Sequence, residues 1–140
     1  MQRSGADVDT FLRGLDEPRA SELLALDSLI VDRLGGRERE LWEGVFWGGT
    51  DQQIIGYARI EQPRPKGPAV EWFLIGLAVQ QKHISVYVNA SADGQYLTKT
   101  FASRLGRVTV GAAAISIPSL DRLDIDVFTE LLDAAFATLE

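Results

Sequence analysis

Few side chains in this sequence of 140 residues are equipped for chemistry. His83 is the only histidine and there is no cysteine, which removes thiolate nucleophiles, iron–sulfur ligation and zinc sites built on sulfur. As a metal ligand His83 would need carboxylate partners, and the simpler reading is a structural hydrogen bond near a strand end. Serines are present, but a single histidine and the lack of a Gly-x-Ser-x-Gly elbow leave nucleophilic catalysis without support. Trp47-Gly48-Gly49-Thr50 lacks the lysine and spacing of a phosphate-binding loop, and no Gly-x-Gly-x-x-Gly follows a strand. Asp121, Asp124, Asp126, Glu130 and Asp133 could offer oxygen to a hard cation if a loop aimed them at one point. Their placement at and beyond the start of the last helix is explained equally by capping, dipole placement and a solvated face. No catalytic residue, metal ligand or cofactor is assigned, and the expectation is a protein that is not an enzyme.

Aromatic residues are the better candidates. Trp42, Trp47, Tyr57, Trp72 and Tyr87, with His83 beside them and Gly76 leaving space between them, could line a concave site for a small molecule on one sheet face. The same residues suit an interface between two copies of the chain, or plain core. All three readings stay open.

These side chains need a sheet to carry them. Residues 71–89 (EWFLIGLAVQQKHISVYVN) read as a β-hairpin turning at Gln81-Lys82, which pairs Val79 with Ile84, Leu77 with Val86 and Ile75 with Val88 on one apolar face. Trp72, Leu74, Gly76 and Ala78 then share the other face with His83, Ser85, Tyr87 and Asn89. Residues 52–60 form a strand with Gln53, Ile55, Tyr57 and Arg59 on one side and Ile54, Gly56, Ala58 and Ile60 on the other. Pro63, Pro65 and Pro68 make an exposed connection. Residues 41–49 are a short strand or a turn leading into one, and residues 107–117 a strand or a bulged pair broken at Gly111.

Helices flank this sheet. Val8, Phe11, Leu12 and Leu15 recur at helical spacing behind Asp7 or Ser4 as cap. Leu23, Leu26, Ile30 and Leu34 make a stripe that stops at Gly35-Gly36, and Pro18 suits the first turn. Tyr96, Leu97, Phe101 and Leu105 form a third helix. Asp124 caps a last one with Val127, Phe128, Leu131, Leu132, Ala135, Phe136 and Leu139 as its buried stripe. The class is α+β, an antiparallel sheet with the N- and C-terminal helices packed on its all-apolar face.

Composition sets the remaining bounds. The length and the 46% hydrophobic content suit a single domain over residues 1–140. The net charge of −6 is uneven: residues 1–40 carry −3, residues 41–118 carry +2 and residues 119–140 carry −5. Without a clustered basic surface, nucleic acid is not an expected partner. No apolar run approaches a membrane span and the first residues lack a signal-peptide core, so the expected location is cytoplasmic, with no membrane partner.

The segment QKHISVYVN, followed by SRLGRVTVGAAAISIPSLDRLDIDVFTELLDAAF, resembles the closing half of the DUF1801 (YdhG-like) family. There a Lys-x-His strand ending in tyrosine precedes a Leu-Gly helix end, a strand, a Leu-Asp-x-(Leu/Ile)-Asp step and a final helix. The likeness spans residues 8–136, and Leu41-Trp42-Glu43-Gly44-Val45-Phe46 matches the family's Trp-Gly-Met-Pro-like segment only loosely. The resemblance implies a small α+β protein without assigned chemistry. One branch of the family is described as frataxin-like intracellular iron chaperones, which would place iron on the acidic helix residues.

Overall fold

The computed structural model describes residues 1–45 and 51–140. Among the described residues there are nine strands: β1 (Gln2–Arg3), β2 (Arg39–Val45), β3 (Asp51–Gln62), β4 (Val70–Val79), β5 (Ile84–Val88), β6 (Ser91–Ala92), β7 (Gln95–Tyr96), β8 (Thr109–Val110) and β9 (Ala114–Ile117). Four α-helices accompany them: α1 (Val8–Arg13), α2 (Arg19–Val31), α3 (Leu97–Phe101) and α4 (Ile125–Ala137). Seven strands build one antiparallel sheet in the order β1-β2-β3-β4-β5-β9-β8, and β6 with β7 forms a small separate ribbon. The chain is α+β, as its patterning requires.

The β4–β5 hairpin has the register its alternation dictates, with Ile75 opposite Val88, Leu77 opposite Val86 and Val79 opposite Ile84. The Gln80 N–H donates to the His83 carbonyl at 2.8 Å, which closes the turn over Gln81 and Lys82. The apolar face so formed packs under all four helices. Leu23, Leu26 and Ile30 of α2 and Phe128, Leu131, Leu132 and Ala135 of α4 join it in one core with no exposed surface. Helix ends follow local chemistry: the Asp7 carboxylate accepts from Thr10 N–H at 2.9 Å to start α1, and Asp124 accepts from Val127 N–H at 3.1 Å to start α4. Residues 107–117 resolve into β8 and β9, with Gly111 in the break between them.

One departure from simple alternation shapes the molecule. Up to Tyr57, odd residues of β3 face the helices; beyond it the faces exchange. Ala58 has a positive φ of 64°, and its rung with Leu74 is missing from a ladder whose register is otherwise unbroken from Ile55–Leu77 to Gln62–Val70. As a result Leu74 and Ile60 pack into the helix-side core, while Phe73 joins Trp42 and Ile54 on the other face. Arg59 likewise leaves the Tyr57 side and grips Glu40 with two hydrogen bonds of 2.6 and 2.8 Å. Strict period-two assignment of Leu74, Arg59 and Ile60 is therefore corrected by a bend that it has no means to represent.

Beyond this bend, among the described residues, no further strand pairs with β3 or β4. Pairing of β2 with β3 ends at Arg39–Tyr57, and pairing of β5 with β4 ends at Val88–Ile75. Residues 59–62 and 70–73 thus form a two-stranded arm. Its tip reaches back to Val45, which it joins in lining a common cleft. Gln62 lies eleven residues along β3 from Asp51, the partner of Val45. A straight strand would part them by roughly 36 Å at about 3.3 Å per residue, so the arm turns back towards the end of β2, with Trp72 and Phe73 on the sheet face opposite the helices.

Helix layer and sheet are also tied by charge. On α2 the Asp27 carboxylate is buried, accepts from the Tyr57 hydroxyl at 2.7 Å, and takes two hydrogen bonds from Arg39 Nη1 at 2.9 and 3.0 Å. Arg39 Nη2 donates onward to Asp9 of α1 at 2.6 Å. Burial, and then the Asp27 charge, push the Tyr57 hydroxyl well above its ordinary pKa, so it is held as a donor. Burial works against the Arg39 charge, but Asp9 and Asp27 outweigh it and raise its pKa. Replacing Asp27 by alanine strands a buried hydroxyl and a half-buried guanidinium, and we expect a loss of about 3 kcal/mol. Tyr57→Phe removes one hydrogen bond and leaves the Asp27–Arg39 pair, for a loss of about 1 kcal/mol. Urea denaturation of both variants checks the ordering.

Candidate functional site

The sheet face away from the helices carries a second, smaller core. Trp42 of β2, Ile54 of β3 and Phe73 and Ala78 of β4 are buried there, with Met1, Trp72 and Tyr87 packed around them. The Trp42 ring meets Trp72 edge-on at 5.4 Å between centroids and Phe73 at 5.6 Å, while Trp72 and Phe73 stack at 4.6 Å. Such offset and edge-to-face pairs are the favoured aromatic geometries.

Two glycines make this packing possible. Gly56 and Gly76 are direct cross-strand partners. A Cβ on Gly56 would lie 2.6 Å from the Trp42 indole nitrogen, and one on Gly76 would lie 2.4 Å from a Phe73 ring carbon. The space that Gly76 provides is thus occupied by the protein's own rings.

Charge fences one side of the cluster. Arg3 of β1 binds Glu71 of the arm, lies 3.5 Å from Glu40 and covers the Trp42 ring at 5.8 Å. Glu40 also holds Arg59. The hydrogen bonds from Arg59, opposed by partial burial and aided by the Arg59 and Arg3 charges, lower the Glu40 pKa. This chain of ion pairs sews the arm to β1 and β2.

Where the arm tip meets the end of β2, a cleft of about 520 Å³ opens. Trp72, Val70, Met1 and the exposed Val45 supply its apolar lining, Pro63 and Pro65 its stiff wall, and Gln62, Arg64 and Glu71 its polar groups. Its volume lies in the usual range of small-molecule sites, about 300 to 1,000 Å³.

The structure divides the aromatic residues expected to act together. Trp42, Trp72 and Tyr87 share one cluster, but only Trp72 reaches the cleft. Tyr57 faces the opposite way, fully buried under α2 on Asp27, because odd positions of β3 point to the helices before the bend. His83 sits half-buried at the β4–β5 turn, outside the cluster. Trp47 lies outside the described residues. What the pattern did not reveal is the part played by residues 62–65, since three prolines between two strands read as a connector. The signal was there in the lengths of β3 and β4, which exceed those of β2 and β5.

The acids are dispersed. Glu130 pairs with Arg104 at 2.7 Å, Asp133 with Arg33 at 2.9 Å, Asp124 caps α4, and Asp121 accepts from the Ser119 hydroxyl. Among the described residues no group of three or more His, Asp or Glu side chains converges as a metal site. No helix among them is long and apolar enough to cross a membrane. No family model, curated protein or solved structure matches the chain, so the likeness to DUF1801 rests on its motif residues alone.

Two measurements test this description. Gly76→Ala forces the Phe73 ring from its seat and is expected to cost about 1–3 kcal/mol, with the tryptophan emission shifting as Trp42 and Trp72 repack. Because the Glu40 pKa is lowered in the folded state, its contribution to stability is full above its ordinary pKa and fades as pH falls through the folded value. Glu40→Gln should therefore flatten the fall in Tm as pH drops below the ordinary carboxylate value of 4.5; an unchanged acid limb would show that Glu40 does not govern it.

Proposed function

We propose that this chain is a non-enzymatic binding module whose ligand occupies the cleft between the arm tip and the end of β2. The observation that carries this reading is the composition of that cleft: an apolar floor containing Trp72, proline walls and a few polar groups at the rim. This is the usual make-up of a small-molecule site. The titratable groups with displaced pKa values support binding over catalysis. Tyr57 is sealed in the core against Asp27 and Arg39, Glu40 is engaged by Arg59 and Arg3, and Asp7, Glu17 and Asp121 are held by Thr10, Ser21 and Ser119, and none of these groups lines the cleft. The aromatic cluster then serves as the platform beneath the site, with the half-buried Trp72 at its edge.

A neutral environment-sensitive dye such as Nile red tests the reading. Saturable binding with blue-shifted emission is expected, and Val45→Glu, in the exposed wall, should weaken it about tenfold, or about 1.4 kcal/mol. Leu24→Glu, equally exposed on α2 away from the arm, should leave it unchanged. Equal loss in both variants, or no saturable binding, would refute the assignment.

A further inference from the structure

We infer that the ligand of this cleft is a monoanion, a small apolar or aromatic carboxylate, bound with its hydrocarbon body on Trp72, Val70 and Val45 and its carboxylate on Arg64. The inference rests on the cleft being a binding site and adds the chemical class of what it takes.

The charges at the rim carry it. Two ionic side chains line the cleft, Arg64 and Glu71. Glu71 is already matched by Arg3, which spans to Glu40 as well. Among the described residues Arg64 has no carboxylate within ion-pair distance, so the rim carries an uncompensated guanidinium. Arg3, Arg19, Arg33, Arg39, Arg59 and Arg104 each hold an acid, whereas Arg64, like Arg13, Arg37, Arg107 and Arg122, is in no ion pair among the described residues; of these five it is Arg64 that lines the cleft. An anion arriving at Arg64 gains a partner without breaking one.

Local geometry favours a carboxylate. Arg64 stands between Pro63 and Pro65, whose rings fix their own φ and restrict the residues before them. The root of the guanidinium is therefore held more firmly than in an ordinary exposed loop, and less freedom is lost on binding. A planar guanidinium fork matches a carboxylate with two parallel hydrogen bonds. Glu71, the other ionic side chain lining the cleft, is already held by Arg3, which leaves Arg64 as the side-chain charge that faces a ligand. One negative charge on an apolar body is what the inventory accommodates.

Three probes sharing one ring system separate the possibilities: 2-naphthoate, 2-naphthalenemethanol and 2-naphthylmethylammonium, titrated into the full chain by calorimetry at low and at physiological salt. Naphthoate should bind about tenfold or more tighter than the alcohol, the ammonium should bind weakest, and added salt should narrow the gap. Arg64→Gln should bring naphthoate down to the affinity of the alcohol, with Arg64→Lys recovering part of the difference. Since Arg64 is exposed and, among the described residues, makes no hydrogen bond or ion pair, an unchanged Tm verifies that the variants are intact. Equal affinities for the three probes, or an Arg64→Gln variant that binds naphthoate normally, would overturn the anion assignment while leaving the cleft as a site. If none of the probes binds, the site itself is refuted together with its ligand.

Discussion

A two-stranded ribbon with apolar side chains cannot stand alone in water, because it has too little surface to bury and too few neighbours to hold its shape. That constraint governs this protein. β3 and β4 outrun β2 on one side and β5 on the other, so their distal halves must find cover elsewhere. The positive φ at Ala58 and the skipped rung with Leu74 turn the ribbon back onto the sheet. Phe73 and Trp72 then bury against Trp42 instead of projecting from the end of the molecule. Asn89, one residue past the end of β5, donates its side-chain amide to the Phe73 carbonyl at 2.9 Å and its backbone N–H to the Leu74 carbonyl at 2.8 Å. These bonds satisfy backbone acceptors at the point where the regular ladder stops.

The sheet consequently has two cores of different kinds. Towards the helices it is aliphatic, with Leu, Ile and Val from β4, β5 and β9 meeting α2 and α4. The polar group set within it, Asp27, is fully engaged by Tyr57 and Arg39. Removing either partner would leave a desolvated charge or dipole, so the clasp fixes the orientation of α1 and α2 on the sheet more than it adds to net stability. The opposite face is aromatic and thin. Its order depends on the absence of a side chain at Gly56 and Gly76, where rings lie directly on backbone. Ion pairs from Arg3, Glu40, Arg59 and Glu71 hold the arm down at its border. Exposed pairs of this kind are individually weak, but these share partners and act on one ribbon.

Much of this was readable from residue order. Alternation in residues 75–88 fixes the register of the hairpin and the face that takes the helices, and Asp7 and Asp124 announce their helices by capping them. Alternation failed where local sequence carries no mark of the bend. The run from Trp72 to Val79 is apolar at every position except Gly76, so the exchange of faces at Phe73 and Leu74 leaves no trace in polarity. Ala58 is an unusual residue for positive φ, and its neighbours Tyr57 and Arg59 look like members of one face. Their divergence is tertiary: Tyr57 is drawn to Asp27 thirty residues earlier, and Arg59 to Glu40. The cleft was hidden for the same reason, being made by two stretches that meet only once the arm has folded.

The periphery of the sheet has a bearing on how the molecule behaves in a crowd. Its outermost strands, β1 and β8, are each two residues long, which offers a neighbouring chain little ladder to extend. Among the described residues the arm is the longer stretch that no further strand pairs, although Asn89 satisfies the Phe73 carbonyl on one side. It carries Arg59, Glu61 and Glu71, and prolines at 63, 65 and 68 interrupt its tip. Charges and prolines are what keep open strands from recruiting other strands. Pressed against its own sheet, the arm also withholds Trp72 and Phe73 from passing chains. The fold-back that shapes the cleft thereby guards the protein against edge-to-edge polymerisation.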